Sequence, residues 1–190
     1  MWAEVNLPVA RDVAQLVSAF RNEGDSSAAK SAELVLQLLE YADAPFSRDH
    51  FTPGHITCTG LVLHPERDAF LLVLHRRLDR WLLPGGHVEE KDAEIWDTAR
   101  REVVEETGAS LIADPAPSLV GIDVHGIPPK RREPYHLHHD LIYLFRAASD
   151  EVVPTEEARD VAWCDPAGWN AYGLPLSIQL SFRRALSMGG

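Results

Sequence analysis

The chain has 190 residues and a mass of 21.1 kDa, enough for one domain of ordinary size whose core needs no disulfide or structural metal to hold it. Hydrophobic residues make up 45% and charged residues 25%, the balance of a soluble globular protein. A formal net charge of −11 argues against a long nucleic-acid backbone as the main partner, because that binding rests on Lys and Arg; it leaves room for a small phosphorylated ligand reached through a divalent cation.

In chain order, apolar residues at helical spacing predict a helix over 9–22 (Val9, Val13, Leu16, Val17, Phe20) that stops at Gly24. A second helix is expected over 28–41 (Leu34, Leu38, Tyr41), with Ser26 or Ser27 as N-cap and Pro45 closing the pair. The two read as a helical hairpin extension spanning residues 1–50, ahead of a catalytic domain over 51–190. Residues 55–63 are β-branched and apolar and predict a strand; 64–68 is a turn, and 69–74 a second strand buried on both faces. Trp81–Leu83 reads as a short strand running into Pro84-Gly85-Gly86. A helix follows over 93–107, with Asp92 as N-cap and Gly108 as its stop. Strands are expected over 119–124, 137–147 and 161–164, an irregular loop over 125–135, and a closing helix over 177–186. The sum is an α/β fold, a sandwich of helices around a mixed sheet with an N-terminal helical extension.

Cys58 and Cys164 stand far apart in apolar stretches and read as buried hydrophobes of a reducing compartment. No stretch reaches the ~18 apolar residues of a membrane span, and residues 1–11 are too polar for a signal peptide. The expected location is the cytoplasm, with no membrane partner.

The chemistry concentrates in Arg101-Glu-Val-Val-Glu-Glu-Thr-Gly108. Glu102, Glu105 and Glu106 stand at i, i+3 and i+4, so their carboxylates share one helix face. Like charges at that spacing repel, and near a helix C-terminus the macrodipole disfavours anions as well. On its own the triplet also suits a solvated acidic face offset by Arg100 or Arg101. The upstream Pro84-Gly85-Gly86 shifts the balance, because glycines let a backbone approach a ligand closely and can offer a bare carbonyl. Hard divalent cations take such oxygen donors.

These residues resemble the Nudix box of the MutT-like Nudix hydrolase family, G-x5-E-x7-R-E-U-x-E-E-x-G-U with U apolar. Gly86, Arg101, Glu102, Glu105, Glu106 and Gly108 fall on its fixed positions. Asp92 stands where the upstream Glu is expected, eight residues rather than seven separate it from Arg101, and Ala109 takes the last apolar position. The resemblance implies hydrolysis of a phosphoanhydride bond in a nucleoside diphosphate-linked small molecule, with Mg²⁺ or Mn²⁺. It implies Glu105 and Glu106 as metal ligands, Glu102 as a further ligand or the base, the Gly85 carbonyl completing the set, and Arg101 orienting the carboxylates. Glu156 and Glu157, on a later loop, are alternative bases. The family resemblance also leaves a homodimer open. Two other readings are a sensor of the same fold that binds a nucleotide without cleaving it, and an isomerase similar to isopentenyl diphosphate isomerase, which needs a placed cysteine.

Weaker candidates lie elsewhere. His136, His138 and Asp140 alternate on a strand and could ligate a metal, contact a phosphate, or form a polar edge. Arg131, in the basic run 130–132, could meet a terminal phosphate, and Arg76 and Arg77 could meet phosphate or balance the acidic helix. Trp81, Tyr135 and Trp163 could stack a base or belong to the core.

Overall fold

The structure, a computed structural model, describes residues 10–23, 26–114, 116–156 and 158–188. Val9, Gly24 and Glu157, which the sequence reading used, lie outside them. Helices α1 (Ala10–Glu23) and α2 (Ser26–Tyr41) form the expected pair. Ser26 and Ser27 sit in the first turn of α2 rather than at its cap. The buried stripe of the pair is Val13, Val17 and Phe20 with Ala32, Val35 and Leu38; Leu34 and Tyr41, counted in the stripe from spacing, face solvent.

Seven strands follow: β1 (Gly54–Leu63), β2 (Phe70–His75), β3 (Arg80–Leu82), β4 (Gly85–His87), β5 (Leu119–Ile127), β6 (His136–Arg146) and β7 (Ala158–Cys164). They form one mixed sheet in the order β3-β2-β1-β6-β5, with β4 added to β1 and β7 to β2. β1 and β6 are parallel and in register over ten residue pairs, from Gly54↔Leu137 to Leu63↔Arg146; the other pairings are antiparallel.

Because side chains alternate along a strand, the sheet has two different faces. One packs Ile56, Cys58, Val62, Leu141, Tyr143 and Phe145 against α1, α2 and helix α3 (Ile95–Thr107). The other packs Leu61, Leu63, Phe70, Leu72, Ile142 and Leu144 against α4 (Trp169–Tyr172) and α5 (Leu176–Ser187). The fold is therefore the α/β sandwich expected from the sequence. Among the described residues no helix is long and apolar enough to cross a membrane.

Four local expectations are corrected. No strand is expected at Gly85–His87, yet these residues pair with Thr59, Cys58 and Thr57. The segment 125–135 is no irregular loop: β5 continues to Ile127, β6 starts at His136, and a Lys130↔Glu133 bridge closes the hairpin. Arg131 takes a left-handed φ of 50° in its turn. Helix α3 starts two residues later than expected, with Glu94 as N-cap in a capping box with Asp97. β7 starts at Ala158, three residues early, because its first residues pair with the end of β2 across an irregularity at Leu74/His75.

Candidate active site

Helix α3 is amphipathic. Ile95, Ala99 and Val103 are buried against the sheet, and Gly60 of β1 lies beneath it so closely that a Cβ there would press into Val103. This anchors the helix and aims Glu102, Glu105 and Glu106 along the Gly85–Gly86 edge. The helix ends where Gly108 adopts φ 61°, a left-handed cap whose N–H donates to the Val104 carbonyl. Its last turn is also tied to the approach to β7, because the Val153 amide donates to the Thr107 carbonyl at 2.9 Å.

Arg101 is the hub. Its Nε and Nη2 donate to both carboxylate oxygens of Asp92, each at 3.1 Å. Nη2 also donates to the His87 carbonyl at 2.9 Å. Nη1 donates to Glu102 Oε1 at 2.7 Å and to Glu105 Oε2 at 3.1 Å. The Arg101 and Asp92 side chains are only 11% and 3% exposed, so this fork is largely out of water, where charge-assisted bidentate bonds count most. Burial works against both charges, but their mutual hydrogen bonds outweigh it. The Arg101 guanidinium is held above its usual range and the Asp92 carboxyl below its own, the latter helped by the Glu89 amide and the Thr98 hydroxyl.

Asp92 is thus no helix cap. It sits in the preceding turn, where it accepts from the Glu89 N–H at 3.0 Å and the Thr98 hydroxyl at 2.8 Å, and reaches Arg101 from outside the helix. That explains the extra residue: the Asp92–Arg101 spacing is set by a loop, which absorbs one residue, and not by helical turns.

The three glutamates are held separately. Glu102 lies over Gly86, where any Cβ would collide with its carboxylate. Glu105, 45% exposed, also pairs with Lys91 Nζ at 3.6 Å. Glu106 is buried and accepts from the Gly85 N–H at 3.0 Å. The donor set suits a hard cation, with carboxylate oxygens beside a glycine backbone. Among the described residues, however, the three potential ligands that already lie within 4.8 Å of one another are His55, His87 and His138.

The remaining candidates scatter. Arg76 is spent on the loop before β7, its Nε donating to the Glu156 carbonyl at 2.8 Å and its Nη2 to the Ala158 carbonyl at 3.1 Å. Arg77 and Arg131 are exposed, and so is Glu156. Asp140 is buried and accepts from the hydroxyls of Thr57 at 3.0 Å and Thr59 at 2.7 Å; burial pushes its carboxyl up. His138 lies on the sheet face of Asp140, and both point away from α3 by the register with His55 and Thr57. Burial pushes His138 down to about 2 and His87 to about 3, and lowers His55 as well. His125 moves the other way, through its hydrogen bond to Asp123. Neither cysteine is presented for chemistry. Both are buried, and burial pushes the Cys58 thiol well up and the Cys164 thiol to about 11.

From sequence, His87 reads only as shaping the loop after the glycines, and His55 has no assigned role. Its only available signal was the alternation His55-x-Thr57-x-Thr59, which mirrors His136-x-His138-x-Asp140.

The model of the NUDIX domain family matches residues 54–174, more than half of the chain. No curated protein matches the sequence. Among solved structures, a NUDIX hydrolase from Nitrosomonas europaea is similar at 20% identity and a TM-score of 0.50, covering 70% of this chain and 88% of that one. A hydrolase of the NUDIX family from Clostridium perfringens is similar at 22% identity and a TM-score of 0.50, covering 70% and 97%. At such identities the structural likeness speaks for the fold, while the extent of the family match, with the box residues gathered around Arg101, speaks for membership. On that ground the chain belongs to the NUDIX family and is a Nudix hydrolase.

Proposed function

We propose that this hydrolase cleaves a phosphoanhydride bond in a nucleoside diphosphate-linked small molecule, using Mg²⁺ or Mn²⁺. The observation that carries the reading is the buried Arg101 fork, which fixes Asp92, Glu102 and Glu105 in one array beside Gly85–Gly86. Glu105, Glu106 and the Gly85 carbonyl would hold the cation, with Glu102 as a further ligand or as the base. A bound divalent ion would neutralise the non-bridging phosphate oxygens and make a water easier to deprotonate.

The protein's own residues would do the positioning. Arg101 restrains two of the three carboxylates, so they meet the substrate without first losing side-chain freedom. Glu102 lies close over the Gly86 backbone, 12% exposed, where a carboxylate could take a proton from an attacking water. Glu156 and Glu157 stand as the alternative bases; the Arg76 clamp on the Glu156 carbonyl would hold that loop in place. Arg77 and Arg131, both exposed, would be the substrate contacts. Asp140 is already engaged by the hydroxyls of Thr57 and Thr59.

The test is a panel of nucleoside triphosphates, sugar nucleotides, dinucleoside polyphosphates and non-nucleotide pyrophosphates, each with Mg²⁺ or Mn²⁺, read by product identity. The expected products are a mononucleotide and a phosphorylated second moiety. Release of neither from any compound, with either ion, would overturn the reading.

A further inference from the structure

We propose that His55, His87 and His138 form a second metal site, separate from the glutamates, that takes one borderline divalent cation of the Zn²⁺ class. The three rings form a nearly equilateral triangle: the centroids are 5.1 Å apart for His55–His87, 5.0 Å for His55–His138 and 5.2 Å for His87–His138. One nitrogen from each lies within 4.8 Å of the other two. Zn–N bonds of about 2.0–2.1 Å place tetrahedral ligands roughly 3.3 Å apart, so modest ring rotation closes the triangle on an ion.

The orientation of His55 supports a ligand. The ring is fully buried, and its Nδ1–H donates to the His50 carbonyl at 3.0 Å, which leaves the lone pair on Nε2. That Nε2 is buried with no hydrogen-bond partner, as is Nε2 of His138. Buried polar atoms without partners are rare and call for an explanation, and an ion between them would supply it. A ligating histidine whose other nitrogen is fixed by a backbone carbonyl is also the usual second layer of a metal site.

The three residues come from β1, β4 and β6, strands whose pairings (His55↔His138 and Thr57↔His87) set their spacing rigidly. The site faces away from α3, because Thr57 and His87 share the face opposite Cys58 and Gly86, and Glu102 lies over Gly86. The two sites also differ in preference. Imidazole nitrogens select Zn²⁺ and its neighbours, whereas carboxylate oxygens suit Mg²⁺ and Mn²⁺. Three protein ligands leave a fourth position for water or a substrate oxygen.

The experiment uses the full chain, stripped with chelator. Zn²⁺ retained after dialysis is counted by elemental analysis, and Co²⁺ is titrated while its visible ligand-field absorption is followed. The expected result is one tightly held Zn²⁺ per chain and a tetrahedral Co²⁺ spectrum. Both should weaken at least ~100-fold in H138Q and in H87Q, two half-buried positions on different strands, so that either variant keeps the test open if the other fails to fold. Both should persist in E105Q and E106Q. Absence of stoichiometric Zn²⁺ in the wild type overturns the proposal, as does undiminished binding in H87Q and H138Q. Zn²⁺ binding that vanishes in the glutamate variants but survives in the histidine variants also overturns it, by placing the ion at α3. Loss of hydrolysis in E105Q with Zn²⁺ retained would separate this site from the catalytic one.

Discussion

On the α3 side of the sheet, Glu102 and Glu105 share Arg101, and Glu106 leans on the Gly85 amide. On the α5 side, His55, His87 and His138 already crowd within 4.8 Å of one another. The difference follows from charge. Three carboxylates repel, and an arginine, a lysine and a backbone N–H hold them. Imidazoles that burial keeps neutral have no such repulsion, and packing alone can bring them together. A cluster of ligands that looks assembled is therefore no measure of which one does the chemistry.

The strongest way to break the carboxylate side is to remove the partner of its hub. Asp92→Ala leaves the guanidinium of Arg101 without its bidentate carboxylate in a largely buried place, and breaking such a pair costs about 3 kcal/mol or more. For a chain of this size that lowers Tm by roughly 6–12 °C, readable by calorimetry. A Tm within a degree of wild type would mean that the fork contributes little.

Glu105→Gln or Glu106→Gln tests the same side by chemistry. Turnover is expected to fall at least ~10²-fold at saturating Mg²⁺, the scale of losing one preorganised electrostatic contact. Wild-type rates in either variant would take that residue out of the mechanism.

Acid tests the other side. The folded-state pKa values of His87 and His138, about 3 and about 2, lie below the unfolded value near 6.5. The unfolded chain therefore binds protons first, and chelator-treated protein loses stability as pH falls below about 6.5. The ceiling is of the order of 2 kcal/mol for each imidazole at pH 5. The drop in Tm between pH 7 and pH 5 should be smaller in His138→Gln; equal drops would deny the imidazoles any part in it.

The smallest effect concerns how α3 is held. Asp97→Ala removes half of the capping box, where the Asp97 carboxylate accepts from the Glu94 N–H at 3.0 Å. It should cost about 1 kcal/mol, a few degrees of Tm, with kcat nearly unchanged. A large loss of kcat would show that the start of the helix positions the glutamates more tightly than its core contacts do.

How much of this was legible in the sequence depended on whether a feature was local. Arg101, Glu102, Glu105 and Glu106 lie on one helix, where spacing alone fixes which face each shares, so the box could be read directly. The helical pair, the two-sided burial of β2 and the Gly108 stop were legible for the same reason. Asp92 was recognised as the counterpart of the upstream acid but given the wrong local job, because a bond from a turn to residue 101 leaves no periodic trace. β4 escaped notice because three residues, two of them glycine, carry no strand propensity. The histidine triangle was the least legible. Its members stand at positions 55, 87 and 138 and meet only through the parallel register of β1 with β6 and the antiparallel register of β1 with β4. His136 and Asp140, its expected companions on β6, stand one to each side of His138 on the same face, with Asp140 turned to two threonines instead.

The strand Gly85-Gly86-His87 works as a hinge pin common to both faces. Its first residue offers an amide to Glu106, its second lies beneath Glu102, and its third sends a ring to the opposite side while its carbonyl accepts a hydrogen bond from Arg101 Nη2. The His87 ring, the floor under Glu102 and the tether of Arg101 therefore belong to two neighbouring residues of one strand. Three consecutive residues thus serve both faces of the sheet.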